Sequence, residues 1–464
     1  MFFRQFPYHK NAILDFFIPL SNKPWAMLLH SGYSKHKDAR FDILVASPNT
    51  TLTTTQGITI IHNKNKNYYK KSNNDPFFLL KKEIELSNMQ STTNPQLPFQ
   101  GGYVGIFGYD LIRNIENLPK IAKKDINLPD MAIGLYRWAI IADHKYHTLQ
   151  LISHDEPNEL IIWLNNLIHS FYKDSFTLKG PWISNITRNE YSKKFHIIHK
   201  HLKEGNCYQI CLSQRFSAPY IGNEWIAFEH LLRHNYAPFS AFIRLPDQVI
   251  LSLSPERFLC LQNSNIKTQP IKGTISRSQN HKIDDQYKKY LANSNKNKAE
   301  NLMIVDLLRN DIGRVAIPGS IQVQKLFEIQ TFPSVHHMVS TITGQLNSIH
   351  SAYDLLRACF PGGSITGAPK ITAMKIIEEL EPHRRNAWSG SIGYISCCGN
   401  MDTNIAIRTL LAENNTLFCS VGSGITFDSQ EKTEYQEMIT KVSTLLPLLN
   451  TPIIFSTNKI NTSN

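Results

Sequence analysis

Lys272 stands in the run Pro270-Ile271-Lys272-Gly273-Thr274, between an apparent strand and a Gly-Thr turn, with few charges around it. A lysine in such a setting becomes a nucleophile once its amine is neutral. A second candidate is Glu256, in Leu253-Ser254-Pro255-Glu256-Arg257-Phe258, at the end of an apolar strand. Partial burial raises a carboxyl pKa and makes a general acid, although a salt-bridged strand end is the commoner outcome for such a glutamate. Carboxylates also recur on two helical patterns: Glu300 begins one that continues through Asp306 and Asp311, while Glu434, Glu437 and Lys441 share one face of the other. Carboxylates from two helices suit a hard cation such as Mg2+, which accepts one or two of them and completes its shell with water and an anionic ligand. Taken alone, such charges more often make a solvated helix face.

Two glycine-bearing runs could receive an anion. In Pro361-Gly362-Gly363-Ser364-Ile365-Thr366-Gly367-Ala368-Pro369-Lys370 the glycines permit close backbone approach, Ser364 and Thr366 add hydroxyls, and Pro369 suits a first helical turn. The run is not a phosphate loop of the GxxxxGK[ST] type, and a tight strand-to-helix turn is an equally good reading. Gly422-Ser423-Gly424 follows an apparent strand at 417–420 and reads as a turn whose amides lead toward the Glu434 helix, a weak signal by itself.

The elements that must hold these groups read as an α+β fold, without the regular alternation of a doubly wound sheet. Strands are expected at 41–46, 51–62, 131–143, 148–153, 249–254 and 391–397, with a hairpin turn at Gly399-Asn400. Helices are expected at 190–204, 298–310, 369–380 and 430–447. Polar stretches at 84–98 and 173–189 divide the chain into an N-terminal lobe, 1–180, a motif-dense part, 181–450, and a polar tail, 451–464.

A chain of 464 residues can bury a large core. Its seven cysteines show no paired CxxC spacing, which favours reduced structural thiols over metal ligands. The net charge of +12 comes from scattered lysines that accompany abundant Asn and Ile, with no aromatic-interleaved basic stripe, so compositional drift ranks first, a small anionic substrate second and nucleic acid a distant third. Arg4, His9, Lys10 and Asp15 interrupt the N-terminal phenylalanines, so no signal peptide or membrane span is expected and the cytoplasm is the expected compartment.

Five of these runs, Ser254 to Arg257, Pro270 to Thr274, Asp306 to Asp311, Pro361 to Lys370 and Glu434 to Lys441, occur here in one order. From about residue 25 to 445 the chain thereby resembles the chorismate-utilising enzymes, which implies a two-lobed fold of large packed antiparallel sheets with helices outside. Anthranilate-forming members carry alanine where Lys272 stands. Isochorismate- and salicylate-forming members carry a water-activating lysine at the place of Gln209, in Cys207-Tyr208-Gln209-Ile210-Cys211-Leu212. Lys272 together with Gln209 is the combination of the members that aminate chorismate at C4, and the runs Trp25 to Gly32 and Leu97 to Gly102 resemble the same branch.

The resemblance implies that Glu256 and Lys272 are catalytic and that Mg2+ is held by Glu300 and Glu437 with Glu434 in support. It implies that His337, Ser364, Thr366, Tyr394, Arg408, Gly422, Ser423, Gly424, Lys441 and Gln209 form the chorismate site. It further implies a tryptophan pocket at Ser31, Asp38, Ala39, Arg40, Phe41, Pro238, Phe239 and Ser240. The sequence carries no GxCxG-type cysteine with an accompanying His-x-Glu, so ammonia is expected from a separate glutamine amidotransferase subunit. Two departures stand out: Asn297 where many relatives place an acid, and Ser423 where they place Ala or Gly. The rival readings are an anthranilate-forming enzyme and a non-catalytic scaffold for the glutaminase subunit.

Overall fold

A computed structural model describes residues 1–32, 38–64, 66–92, 97–168, 173–332 and 335–456. Among them the strands form two large antiparallel sheets of fourteen and twelve strands. Both sheets draw strands from both sides of residue 180. The first runs from Phe2–Phe6 through Trp138–Asp143, Phe41–Val45, Met27–His30, Phe239–Arg244 and Gln248–Ser254 to Thr409–Glu413, Thr416–Thr426 and Gln209–Gly222. The second runs from Ile271–Ser276 through Val335–Gln345, Arg257–Gln262 and Ser391–Ser396 to Gly102–Phe107, Met131–Tyr136 and Thr50–Thr55.

The packing explains the layering. Met27, Ile43, Val45, Val104, Ile106, Ile141, Ile243, Ile250 and Ile392 are buried in one apolar cluster between the sheets. The outer face of the first sheet is covered by the helices Arg188–Lys203 and Glu224–Asn235, where Trp225 meets Phe242 edge to face at 5.3 Å. The outer face of the second is covered by Asn295–Gly313 and Ala352–Cys359, through Ile304, Leu308, Leu355 and Leu356. Each such fully buried large side chain stabilises the fold by roughly 1.5–3 kcal/mol relative to exposure. A sheet pair with helices on both outer faces is the α+β arrangement expected.

Some expected elements divide. The stretch 51–62 is two strands, Thr50–Thr55 and Ile58–Asn63, turning at Gln56-Gly57, both at positive φ. The stretch 131–143 breaks at Arg137, and each half joins a different sheet. The last helix ends at Ser443. Ile453–Ser456 pairs with Lys173–Leu178, and the rest of the tail, 457–464, lies outside the described residues. No helix among the described residues is long and apolar enough to cross a membrane.

Candidate active site

The backbone crosses from one sheet to the other at Pro255-Glu256, between strands Gln248–Ser254 and Arg257–Gln262. Successive side chains there point opposite ways. Glu256 turns toward the Ser364 side chain and the Ile271 amide, which both donate to it, and it is 4% exposed. Burial pushes its carboxyl up to about 7, against the hydrogen bond from Ser364 and the charge of Lys272. Arg257 turns the other way, to Asp38 at 2.6 Å and to Asp402 at 3.0 and 2.9 Å.

Lys272 lies inside strand Ile271–Ser276, not ahead of a turn; Gly273, at φ +76, makes a bulge against His337 and Met338. A β-carbon on Gly273 would fall 2.8 Å from the Asn297 side chain, so the start of helix Asn295–Gly313 presses on this bulge. Lys272 Nζ donates to Ser364 O at 3.2 Å. It also lies 3.4 Å from where a β-carbon on Gly424 would stand, a point 2.3 Å from Gln209 Nε2. Gln209 is fully buried, and neither atom of its amide has a hydrogen-bond partner among the described residues. Such a group is costly to bury unpaired, which marks the space beside Lys272 as one that a polar ligand completes. Gly424→Ala is therefore expected to lower kcat/KM for the substrate by about 10²-fold through misplacement of Gln209 and Lys272. Unchanged kinetics in a folded variant would remove Gly424 from the site.

Gly422-Ser423-Gly424 is the interior of strand Thr416–Thr426, in register with Ser213, Leu212 and Cys211, and not the turn expected. Strand alternation splits the three. A β-carbon on Gly422 would meet Trp388 at 3.0 Å and Cys211 Sγ at 3.1 Å, on the same side as Gln209 and Lys272. Ser423 points to the opposite, core face toward Tyr191, so its hydroxyl does not reach the site. Trp388 is thus a site residue that the motifs did not reveal. Its ring packs under the Arg385 guanidinium at 4.8 Å, and Arg385 binds Glu381, Ile365 O and Cys211 O, fastening the 361–369 loop to strand Gln209–Gly222.

The remaining positions fall in different places. Ser364, in the 3-10 turn Gly363–Ile365, joins Glu256 and Lys272. Thr366 is buried and donates to Gly362 O at 3.0 Å, so it holds the loop rather than presenting a free donor. Lys370 is likewise committed, to Asp311 at 2.5 Å and Cys359 O at 2.8 Å. His337 is buried, bonded through Nδ1 to Thr274 Oγ1 at 2.8 Å and set edge-on to Phe332. Burial lowers the Arg408 pKa, and among the described residues no carboxylate pairs with it, so its guanidinium could receive an anion. Tyr394 does not join this group. It packs edge-on to Phe99 among residues of the inter-sheet core, because residues 392 and 394 share the strand face opposite Ile395.

The three expected metal carboxylates approach without forming one cluster: among the described residues no three His, Cys, Asp or Glu side chains could hold a metal together. Glu434, in the first turn of helix Glu431–Ser443 where a carboxylate is favoured, is 1% exposed and accepts from Ser429 Oγ at 2.7 Å and Lys296 Nζ at 2.7 Å. Lys296 also stands 3.9 Å from Glu300. Glu437 pairs with Lys441 at 2.8 Å, and Lys441 reaches Gly422 O at 3.1 Å. Burial and the charges of Glu434 and Glu437 raise the Glu300 pKa, whereas for Glu437 burial is overcome by Lys441 together with Lys296 and Lys272, and the pKa is lowered. The donors are all oxygen and their mutual repulsion invites a cation, so the set fits a hard ion bound by one or two carboxylates.

A second cavity of about 240 Å³ lies on the Arg257 side of the crossing. Asp38, Arg40, Phe41, Pro238, Phe239 and Ser240 line it, as does Tyr394. Ser31 stands behind the wall, its amide on Asp42 at 2.6 Å, and Ala39 is not part of the lining.

This sandwich, with its paired acid and amine under a glycine strand, defines a class: the chain belongs to the chorismate-binding enzyme family, whose model matches residues 30–447, and it is an enzyme. It is 54% identical over 442 residues, 95% of the chain and 97% of the relative, to aminodeoxychorismate synthase component 1 of Escherichia coli (strain K12). It is 32% identical to anthranilate synthase component 1 of Aquifex aeolicus (strain VF5), over 93% of the chain and 91% of the relative. Among solved structures, anthranilate synthase component I from Streptococcus pneumoniae TIGR4 superposes with a TM-score of 0.77 at 30% identity, covering 89% of this chain and 93% of that one.

Proposed function

We propose that the protein aminates chorismate at C4 to 4-amino-4-deoxychorismate, feeding 4-aminobenzoate and folate synthesis. The observation that carries this reading is Lys272 beside Glu256 with a Gln209 amide across the gap that has no partner among the described residues, in a chain 54% identical to a relative named aminodeoxychorismate synthase component 1. Arg408 and the Gly422 and Gly424 backbone would take one substrate carboxylate. Bound at Glu300 and Glu437, with Glu434 behind them, Mg2+ would neutralise the other carboxylate.

Glu256, protonated near neutral pH, gives its proton to the departing 4-hydroxyl, which leaves as water. The neutral Lys272 amine attacks C2 with the ring double bond shifting to expel that group, and a C2–N bond forms. Ammonia then adds at C4, the double bond shifts back, and the Lys272 amine is released; Glu256 takes up the proton that ammonia sheds. A component 1 implies a further component, and ammonia would come from glutamine through a separate glutamine amidotransferase subunit in that role.

The test is incubation with chorismate, Mg2+ and ammonium, followed by mass spectrometry with and without an added aminodeoxychorismate lyase. 4-Aminobenzoate appearing only with lyase supports the reading; fluorescent anthranilate without lyase rejects it. Glutamine use by the purified chain alone would reject the two-subunit assignment. The second cavity is the site assigned to L-tryptophan, and titration calorimetry that finds no tryptophan binding to protein stripped by mild denaturation and refolding would withdraw that assignment.

A further inference from the structure

Lys296 occupies a position that ought to cost it. It is the second residue of helix Asn295–Gly313, where the macrodipole disfavours a cation, and its side chain is only 37% exposed. Both penalties are met by carboxylates: Glu434 Oε1 at 2.7 Å, brought from a distant helix, and Glu300 Oε1 at 3.9 Å, one turn further along the same helix. Ser429 Oγ donates to the same Glu434 oxygen, so that oxygen is held from two sides. The ammonium therefore sits between two carboxylates of the set that fits a hard cation, and the two cations exclude one another there by charge and by space.

We infer that Lys296 is a tethered counter-ion, held by Glu434 beside the Glu300 end of the cation site in the metal-free protein and leaving Glu300 when Mg2+ enters. This rests on the Mg2+ reading above. The alternative role, a lysine that holds Glu434 in a ligating pose, has the opposite sign: its loss weakens metal binding.

Titration calorimetry of Mg2+ into the wild-type chain and Lys296→Met, without substrate, separates them. Removal of the competing charge is expected to tighten Mg2+ binding about three- to tenfold, the scale of one partly buried ion pair. Equal or weaker binding by the variant overturns the inference alone, and no Mg2+ binding by the wild type overturns the Mg2+ reading with it. The second measurement uses the unmodified protein: acetylation of Lys296 by an amine-reactive reagent, followed by peptide mass spectrometry, is expected to quicken at least about threefold at saturating Mg2+ as the ammonium loses its carboxylate partners. An unchanged or slower rate would mean that Lys296 stays in place.

Discussion

Lys272→Met is expected to lower ammonium-dependent turnover of chorismate by about 10³-fold or more, the scale on which a covalent nucleophile acts. During wild-type turnover, intact-mass spectrometry should find an adduct on the Lys272 peptide, and the variant should lack it. The geometry makes this informative, because Lys272 has little structural employment. Among the described residues its one side-chain hydrogen bond is to Ser364 O at 3.2 Å, so methionine should keep the strand and the bulge at Gly273. The variant should therefore unfold within a few degrees of the parent. Turnover retained within tenfold would mean that ammonia attacks the ring directly, and an adduct persisting in the variant would place the nucleophile elsewhere.

Glu256→Gln is expected to lower kcat by about 10²–10⁴-fold, the usual contribution of a positioned general acid. Its pH dependence has a definite sign. With the carboxyl pushed up to about 7, the acid form prevails below that pH, so wild-type kcat/KM should fall tenfold per unit above it while the residual rate of the variant stays flat. Stability moves with the same group. Between 4.5, the ordinary value, and about 7 the folded protein keeps a proton that the unfolded chain has lost, so stability falls as pH rises through this window. The loss is on the order of 3 kcal/mol when complete, and glutamine does not suffer it. Thermal unfolding at pH 8 should find Glu256→Gln more stable than the parent, with the difference vanishing below pH 4.5. A variant less stable at pH 8 would show that the carboxylate is satisfied in its pocket.

Much of the site was legible because its motifs are local. Pro255 marks the crossing that carries Glu256, and Gly273, required by φ +76, marks the bulge that presents Lys272. Glu434, Glu437 and Lys441 are neighbours by helical repeat alone. Trp388 was missed because nothing in its own run distinguishes it from a core tryptophan; only the bare backbone of Gly422, more than thirty residues on, brings its ring to the site. Tyr394 was misplaced for the complementary reason. Its motif is recognisable, but a strand offers two faces, and which one meets a pocket depends on register with neighbours.

The sequence by itself determined the class of chemistry: an amine, an acid and paired carboxylates in a fixed order, with Lys272 and Gln209 selecting the branch. Tertiary structure alone decided which faces meet. It turned Ser423 away from the site and Tyr394 toward the second cavity, wove both sheets from both halves of the chain, and placed Lys296 against Glu434 across 138 residues of sequence. Side-chain chemistry is written residue by residue. The pairing of distant charges and the choice of strand face depend on register and packing, which arise only when the sheets close on one another.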